Sequence, residues 1–271
     1  MGLDVMRWGI GLLLALAASC SHALVFAVNE GVTYRVSNDE IRAKYTAIAA
    51  DLSKLLKQPV TIEPVADYPT LRRGLAAKQY DLALVHPAHL SIAAIKNSGY
   101  RLLAVTKGYQ QYTANILVKA DSPMKSLGDL KDSTLGMPDE DSITSWMTRA
   151  TLRDALGDGL QTKFVYTRYQ EAVPFFVENN LTKAGSTASA SVVKAWQAKG
   201  GRVLGQSRPV PIKHVIASPN LPADLADKVR DYLLLLDSTD EGKKKLEATK
   251  YIGFAPYSQT DMMSIGNWLG L

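Results

Sequence analysis

The sequence predicts an α/β protein with two lobes, and three patterns along the chain support this prediction. From Leu24 onward, short apolar segments alternate with segments in which apolar residues recur every three or four positions, as in strands and amphipathic helices. The alternation runs through two successive βα series. Long segments near residues 108–112 and 204–210 can connect the two series twice and so form a hinge. We therefore expect a β-sheet flanked by helices in each lobe and a ligand cleft at the hinge.

The first βα series forms most of one lobe. A strand is predicted at 24–29, and the helix that follows at 38–57 can be capped by Ser37 or Asn38. Pro69 suits the first turn of the next helix. Proline has no backbone N–H, but the N–H groups of the first turn have no partner inside the helix in any case. The further strands predicted in this series are 60–65, 81–85 and 101–105, and the further helices are 67–77 and 88–96.

The second series opens with an extended run at 112–119 and contains a long helix at 142–156. The other elements predicted from here to the end of the chain are a helical turn at 126–130, strands at 134–137, 163–167 and 211–217, and helices at 170–178, 190–199, 222–236, 241–249 and 261–269. These elements place lobe 1 at about 24–110 plus 207–271 and lobe 2 at about 111–206.

Residues 1–23 are predicted to be a signal peptide that directs the chain to the periplasm. Arg7 precedes an apolar run of 11 residues, Trp8–Ala18, which is too short to span a bilayer of roughly 30 Å. Ser21 and Ala23 are small residues at the positions that a signal peptidase reads. The segment Ala17–Cys20 also resembles a loose lipobox, so lipid anchoring at Cys20 is the alternative. Because Cys20 is the only cysteine, thiol catalysis, disulfides and cysteine-based metal sites are excluded.

Charge and composition exclude several classes of function. The chain has 271 residues and a formal charge of +5, but its basic residues are not gathered on one face or arm as in nucleic-acid-binding proteins. Lys243–Lys245 and Arg72–Arg73 lie at helical spacing beside apolar residues and fit solvated helix faces. We therefore expect no nucleic-acid partner, and we expect the protein to be a monomer.

No motif predicts catalysis, a cofactor or a metal. The nucleophile elbow, the P-loop and the dinucleotide-binding glycine pattern are absent from the sequence. His86 and His89 have a spacing that could ligate zinc, but apolar residues flank them, which favours packing or hydrogen bonding to a ligand. A zinc site at His86, His89 and His214 and a secreted enzyme on the same fold remain as alternatives.

The segment Asp141–Trp146 is the best candidate for a binding site. It follows a predicted strand and opens a helix, and it carries the hydroxyls of Ser142, Thr144 and Ser145. A helix N-terminus offers unpaired amides and the positive end of the helix dipole, which suits an oxyanion. Serine and threonine are also common helix caps, so simple capping is the competing interpretation.

Several segments resemble the phosphate/phosphite/phosphonate-binding receptors of ABC importers, which are type 2 periplasmic binding proteins. The resemblance covers essentially the whole mature chain, and its segments are Asp67-Tyr68, Tyr80–Ala88, Lys119–Pro123, Ser126–Lys131, Ser142–Trp146 and Gly253–Pro256. Lys119–Pro123 with Ser126–Lys131 is common to many periplasmic receptors and indicates the superfamily. The strand followed by the Ser142–Trp146 helix start is more specific to this family.

The resemblance implies ligand contacts in both lobes. The family's loop that grips the phosphorus oxyanion corresponds to Ser142–Trp146, where Ile143 replaces a hydroxyl and Ser145 stands in place of glycine. Tyr112 matches an aromatic residue on the crossing strand. The expected ligand-binding residues are Glu30, Tyr34, His86, Tyr112, Ser142, Thr144, Ser145 and Tyr169.

Two departures from the family pattern bear on the ligand. Tyr169 lies near the position of the family's histidine and cannot carry its positive charge, so His86 is expected to supply charge instead. Residues 186–189 hold no acid to meet a ligand amine, so a compact oxyanion is expected rather than an aminoalkyl phosphonate. The resemblance implies a receptor that delivers this small anionic solute to a membrane ABC permease. Alternatives are delivery to a sensor kinase, and a pyrimidine or sulfonate as the solute.

Overall fold

The structure is a computed structural model that describes residues 23–31, 37–157 and 161–271. Except for Ala23, the predicted signal peptide lies outside the described residues, as does Tyr34. The strands are β1 Leu24–Asn29, β2 Val60–Pro64, β3 Leu82–Val85, β4 Arg101–Thr106, β5 Asn115–Val118, β6 Thr134–Met137, β7 Lys163–Tyr166, β8 Ala184–Thr187, β9 Arg202–Gln206, β10 His214–Ala217 and β11 Phe254–Ala255. The α-helices are α1 Asn38–Leu56, α2 Tyr68–Ala76, α3 Ala88–Ser98, α4 Ile143–Leu156, α5 Val173–Glu178, α6 Ala190–Ala198, α7 Ala223–Leu235, α8 Asp240–Thr249 and α9 Gln259–Leu269.

The first sheet has the strand order β11-β4-β10-β3-β1-β2. β1 pairs in parallel with β2 and β3, whereas β10 runs antiparallel to β3 and β4. Apolar residues of α1, α7 and α8 pack on one face of this sheet. Residues of α2, α3 and α9 pack on the other face, and Ile143, Met147 and Ala150 of α4 join them in the same core. The start of α4 is therefore anchored against the first sheet's helices.

The second sheet has the order β7-β6-β8-β5-β9. Val177 of α5 and the pair Val192 and Trp196 of α6 pack with Leu117 on one side of it. Leu152 of α4 packs with apolar residues of β5, β6 and β8 in a separate cluster. The expected α/β architecture, with two sheets that are each flanked by helices, is thus confirmed.

Two extended segments join the sheets side by side. The chain passes from β4 to β5 and returns from β9 to β10, and an antiparallel bridge connects Tyr112 to Val210 in these segments. The Val210 amide donates to the Tyr112 carbonyl at 2.9 Å, and the Ser207 amide donates to the Ala114 carbonyl at 2.9 Å. Paired crossings of this kind are suited to a hinge between two bodies. The boundaries of the lobes at 110/111 and 206/207 stay a prediction.

Three strands were not predicted. β8 and β9 contain glycines, and β11 has only two residues, so none shows an alternating or β-branched pattern. Tertiary packing accounts for β8, because a Cβ on Gly185 would lie 2.6 Å from Val173 Cγ1 and 2.9 Å from Val177 Cγ2. Glycine there lets α5 sit directly on the sheet, a reason that local sequence does not reveal.

Two predicted elements begin later than expected. The strand predicted at 211–217 starts at His214, since Pro211 has no amide to donate to a neighbouring strand. The helix predicted at 170–178 begins as a 3₁₀ turn at Gln170–Ala172, and the α-helix starts at Val173 with Pro174 in its first turn. Among the described residues, no helix is long and apolar enough to cross a membrane.

Candidate functional site

The start of α4 forms one wall of the candidate site. Ser142 caps the helix, because its Oγ accepts a hydrogen bond from the Ser145 amide at 3.2 Å and its carbonyl accepts one from the Trp146 amide at 3.1 Å. The capping interpretation of Ser142 is therefore correct in this conformation. It leaves the amides of Ile143 and Thr144, the first two of the helix, without a partner inside the helix. These amides and the helix dipole give this wall a positive potential.

Ser145 serves the loop before α4 rather than the site. Its side chain is completely buried, and its Oγ donates to the carbonyl of Asp139 at 2.9 Å or that of Pro138 at 3.2 Å. The Ser142 hydroxyl donates to Ser145 Oγ at 3.2 Å. The prediction that Ser145 binds an anion oxygen has no support from this arrangement. Its contacts instead hold the loop that places Ser142 and Thr144.

A small cavity of about 70 Å³ lies between the start of α4 and the first sheet. Its walls come from elements next to both sheets and from the extended segments that join the sheets. The lining residues are Tyr68, His86, Tyr109, Tyr112, Ser142, Ile143, Thr144, Gln170, Ile212 and Lys213. Four of the predicted site residues are thus brought together here: His86, Tyr112, Ser142 and Thr144.

Hydrogen bonds fix the polar groups that line one side of this cavity. Gln170 Oε1 accepts from the Ala188 amide at 2.6 Å and from Thr187 Oγ1 at 3.0 Å, and these two contacts define the orientation of its amide. Gln170 Nε2 then donates to the Tyr112 hydroxyl at 3.0 Å. The Tyr112 hydroxyl thus accepts from Gln170, and its Oη lies 3.4 Å from Thr144 Oγ1. The arrangement presents donors to the cavity.

Tyr169 does not line the cavity, although it was predicted to bind the ligand. The guanidinium of Arg168 lies 5.5 Å from its ring centroid. Its neighbour Gln170 takes the place in the wall, because the backbone turns into the 3₁₀ helix at this point. Gln170 could not be predicted as a wall residue, since a single glutamine at the start of a predicted helix is unremarkable.

Among the described residues that line the cavity, Lys213 is the cation, and it was not predicted from the sequence. It is only 6% exposed, and its Nζ lies 4.3 Å and 4.7 Å from the ring centroids of Tyr109 and Tyr251. Burial lowers the pKa of Lys213 to about 8, which leaves it charged at neutral pH. A lysine directly before the buried strand His214–Ala217 was the available signal, because lysine is rarely so buried without a reason.

His86 lines the cavity but does not carry the expected charge. Burial, followed by the nearby Lys213 ammonium, lowers its pKa to about 3. Its Nδ1 lies 3.1 Å from the Ile212 carbonyl, which can only accept, so Nδ1 bears the proton and Nε2 is an acceptor. His86 is therefore neutral and has no N–H left to offer an anion. Lys213 supplies the charge that was expected from His86.

Glu30 lies behind the cavity wall. Its carboxylate accepts a hydrogen bond from the Tyr45 hydroxyl at 2.6 Å and lies 3.7 Å from Lys44 Nζ. A carboxylate so engaged offers no donor to an anion, so direct ligand contact by Glu30 is not supported. Within the described ranges, no three His, Cys, Asp or Glu side chains are grouped so that they could hold a metal ion.

Next to the cavity, an ion pair and an aromatic stack connect the start of α4 to α2 and α3. Arg72 of α2 contacts Asp141 at 2.7 Å, and His89 of α3 lies 3.3 Å from the same carboxylate. The rings of His89 and Trp146 stack with centroids 5.2 Å apart. Burial alone would raise the pKa of Asp141, but the adjacent His89 ring and the Arg72 guanidinium hold it well below its ordinary value. These contacts stabilise the approach of α4 to α2 and α3.

Asp141→Asn is expected to weaken ligand binding by a factor of up to about five, because the ion pair with the half-exposed Arg72 is worth about 0.2–1 kcal/mol. Calorimetry measures the affinity, and small-angle scattering measures whether the ligand-free protein opens. The control is Asp132→Asn, which removes the same charge from an exposed position just before β6. Equal affinities of the Asp141 and Asp132 variants would show that this contact does not support the bound state.

Comparisons with known proteins agree with this architecture. The family described as "ABC transporter, phosphonate, periplasmic substrate-binding protein" matches residues 31–262. The phosphonates-binding periplasmic protein of Escherichia coli K12 is 23% identical over 252 residues, which cover 85% of this chain and 71% of that protein.

Two solved structures share the fold. XAC2383 from Xanthomonas citri, bound to ATP, has a TM-score of 0.73 at 14% identity and covers 92% of this chain and 97% of its own. PhnD1 from Prochlorococcus marinus, in complex with methylphosphonate, has a TM-score of 0.64 at 15% identity and covers 91% and 96%. At such identities the likeness shows the two-lobed fold alone. The family match over residues 31–262 goes further: this chain belongs to the periplasmic substrate-binding proteins of phosphonate ABC transporters.

Proposed function

We propose that this protein captures a small phosphorus oxyanion, either phosphate, phosphite or a phosphonate, in the cavity lined by Lys213 and the start of α4. The observation that carries the proposal is the position of the buried Lys213 ammonium in the same cavity as the first turn of α4. A cation and a helix N-terminus that line one small cavity favour an anion there over any neutral solute.

The donors of the cavity suit a tetrahedral anion with several oxygens. Its walls carry Lys213 Nζ, the amides of Ile143 and Thr144, the second N–H of Gln170, and the hydroxyls of Ser142, Thr144 and Tyr112. Bonds from such donors to an ionised oxygen are each worth about 1.5–3 kcal/mol. Binding needs no covalent step, which fits a transport receptor and not an enzyme.

Cavity size and charge narrow the class of ligand. About 70 Å³ is far below the roughly 300–1,000 Å³ of a pocket for a drug-sized molecule. Among the described residues that line the cavity there is no aspartate or glutamate. A ligand amine would therefore meet the Lys213 ammonium with no carboxylate to offset the repulsion. A compact oxyanion without an amine is the best fit.

The remaining parts of the proposal follow from the family. The signal peptide at residues 1–23 would direct the chain to the periplasm, with lipid attachment at Cys20 as the alternative. The receptor, as a monomer, would close about the crossing segments and present the solute to an ABC permease rather than to a sensor kinase. Tyr34 is kept as a predicted contact, and Ser142, Thr144 and Tyr112 are the proposed direct contacts.

Calorimetric titration of the mature protein, freed of ligand by unfolding and refolding, tests the proposal. The panel is phosphate, phosphite, methylphosphonate, 2-aminoethylphosphonate, sulfate and a pyrimidine. We expect one of the first three to bind, and 2-aminoethylphosphonate to bind at least about tenfold more weakly, since an uncompensated like charge costs more than ~1.4 kcal/mol in such a site. Preference for the aminoethyl compound would contradict the proposed ligand class. Binding of sulfate or the pyrimidine alone would contradict the proposed function.

A further inference from the structure

We propose that Glu30 is a positioning residue, which acts through Tyr45 and Tyr251 to hold the Lys213 ammonium in the cavity wall. The inference rests on the proposed function, because it concerns the cation of the same cavity. It also assigns Glu30 a role different from the direct ligand contact expected from the sequence. Its evidence is a continuous set of contacts between the carboxylate and the ammonium.

Three hydrogen bonds connect Glu30 to Lys213. The Tyr45 hydroxyl contacts Glu30 Oε1 at 2.6 Å, the hydroxyls of Tyr45 and Tyr251 are 3.2 Å apart, and Lys213 Nζ donates to the Tyr251 hydroxyl at 3.3 Å. A carboxylate only accepts, so the Tyr45 proton is committed to Glu30. Tyr251 must then donate to Tyr45, and every bond in the chain points from the ammonium toward the carboxylate.

The two tyrosines keep the carboxylate and the ammonium apart. Tyr45 is 1% exposed and Tyr251 is 4% exposed, so the chain of hydroxyls is enclosed and its bonds reinforce one another. The faces of Tyr109 and Tyr251 hold Nζ at 4.3 Å and 4.7 Å. An ammonium has three donors, and only one of them is used at Tyr251. The relay engages the ammonium through one N–H group, so two N–H groups can face an anion.

Several charged or titratable groups act on Lys213. Burial lowers the pKa of Lys213 most, the charge of Glu30 raises it and that of Lys44 lowers it, and the balance is a pKa of about 8. His86 is neutral, since its own pKa is about 3. Burial raises the pKa of Tyr45 well above its ordinary value, so this hydroxyl stays protonated, and Tyr109 and Tyr251 contribute their ring faces. Removing the charge of Glu30 must therefore lower the pKa of Lys213.

The test measures the titration of Lys213 directly by NMR of ¹³C-methylated lysines in the ligand-free protein, with the Lys213 signal assigned from K213M. The same proteins are titrated with methylphosphonate and phosphate between pH 6 and pH 10. The variants are Glu30→Gln and Tyr251→Phe, the second of which keeps the ring face and removes the hydroxyl. Glu247→Gln removes the same charge from an exposed position on α8 and is the matched control.

We expect the wild type and E247Q to titrate near pH 8, with anion affinity falling about tenfold per pH unit above this midpoint as the ammonium loses its proton. In E30Q and Y251F both midpoints should move down together by roughly half a pH unit or more. An unchanged Lys213 midpoint in E30Q, which still shows the wild-type fold by circular dichroism, would overturn the inference. If the Lys213 midpoint shifted in E30Q but the wild type bound neither anion, the role of Glu30 would stand and the proposed function would be wrong.

Discussion

Lys213→Met is expected to weaken binding of the phosphorus oxyanion by a factor of at least about 10 to 150 while it stabilises the ligand-free protein. The loss follows from the removal of one charge-assisted interaction, worth about 1.5–3 kcal/mol, in a cavity that excludes much of the water. Methionine retains the length and the apolar stem, so it can pack between Tyr109 and Tyr251. Calorimetry gives the affinity, and urea unfolding gives the stability.

The gain in stability comes from the cost of burying an ammonium. The folded pKa of Lys213 is about 8, below the ordinary value of 10.5, so the charged form is destabilised in the folded state. At pH 7 this cost is about 3 kcal/mol, which the methionine variant should recover in part. Between pH 8 and pH 10.5 the unfolded chain binds more protons than the folded one. The free energy of unfolding of the wild type should therefore rise with pH over this range, relative to K213M.

Lys243→Met is the control for the loss of one positive charge, since Lys243 lies on the exposed side of α8, where its pair with Asp240 spans 3.6 Å. It should change neither affinity nor stability appreciably. If K213M bound the anion as tightly as the wild type, Lys213 would not be a ligand. If K213M were less stable than the wild type across the pH range, the ammonium would stabilise the fold, and its burial would not be a cost that anion binding explains. A substitution that weakens binding and stabilises the fold, as expected for K213M, is typical of a residue that is kept for function.

The strand and helix pattern of this chain was largely predictable because its elements depend on local signals. The helix α1 begins after Ser37, whose side chain forms a capping box with Glu40, and its buried residues Ile41, Tyr45, Ile48 and Leu52 recur at helical spacing. β8 could not be predicted in the same way, because Gly185 belongs to a strand only through the approach of α5. Local periodicity does not report such a close approach between distant elements.

In the candidate site, too, the residues that depend on a local pattern could be predicted, and those that depend on tertiary contacts could not. Ser142 and Thr144 follow a strand and open a helix, and the oxyanion interpretation needs only that order. Lys213 is distant from them in sequence, and its importance depends on burial and on the tyrosines around it. His86 was given a charge that its environment does not permit, since burial and the Lys213 ammonium both oppose protonation. Protonation state follows from the three-dimensional surroundings and not from residue type.

Ser142→Ala combined with Thr144→Ala is expected to weaken oxyanion binding by a few kcal/mol, a factor of about 100 or more. Thr144 Oγ1 lies at the cavity beside Tyr112, and its loss removes one donor. Ser142 Oγ donates to Ser145 Oγ at 3.2 Å, and this proton can turn to a ligand while Ser145 keeps its bonds to the backbone. Calorimetry with the best ligand of the panel measures the loss.

The capping role of Ser142 makes the single variants informative. Ser142→Ala alone should lower the stability by about 1 kcal/mol, because the Ser145 amide loses its partner. Thr144→Val keeps the shape of the side chain and should leave the cap intact, so its loss of affinity isolates the hydroxyl. Thr144→Ser retains the hydroxyl and should bind nearly as the wild type does. If Thr144→Val and the double variant both bound the anion normally, the start of α4 would be only a capped helix, and Lys213 would have to act with other donors.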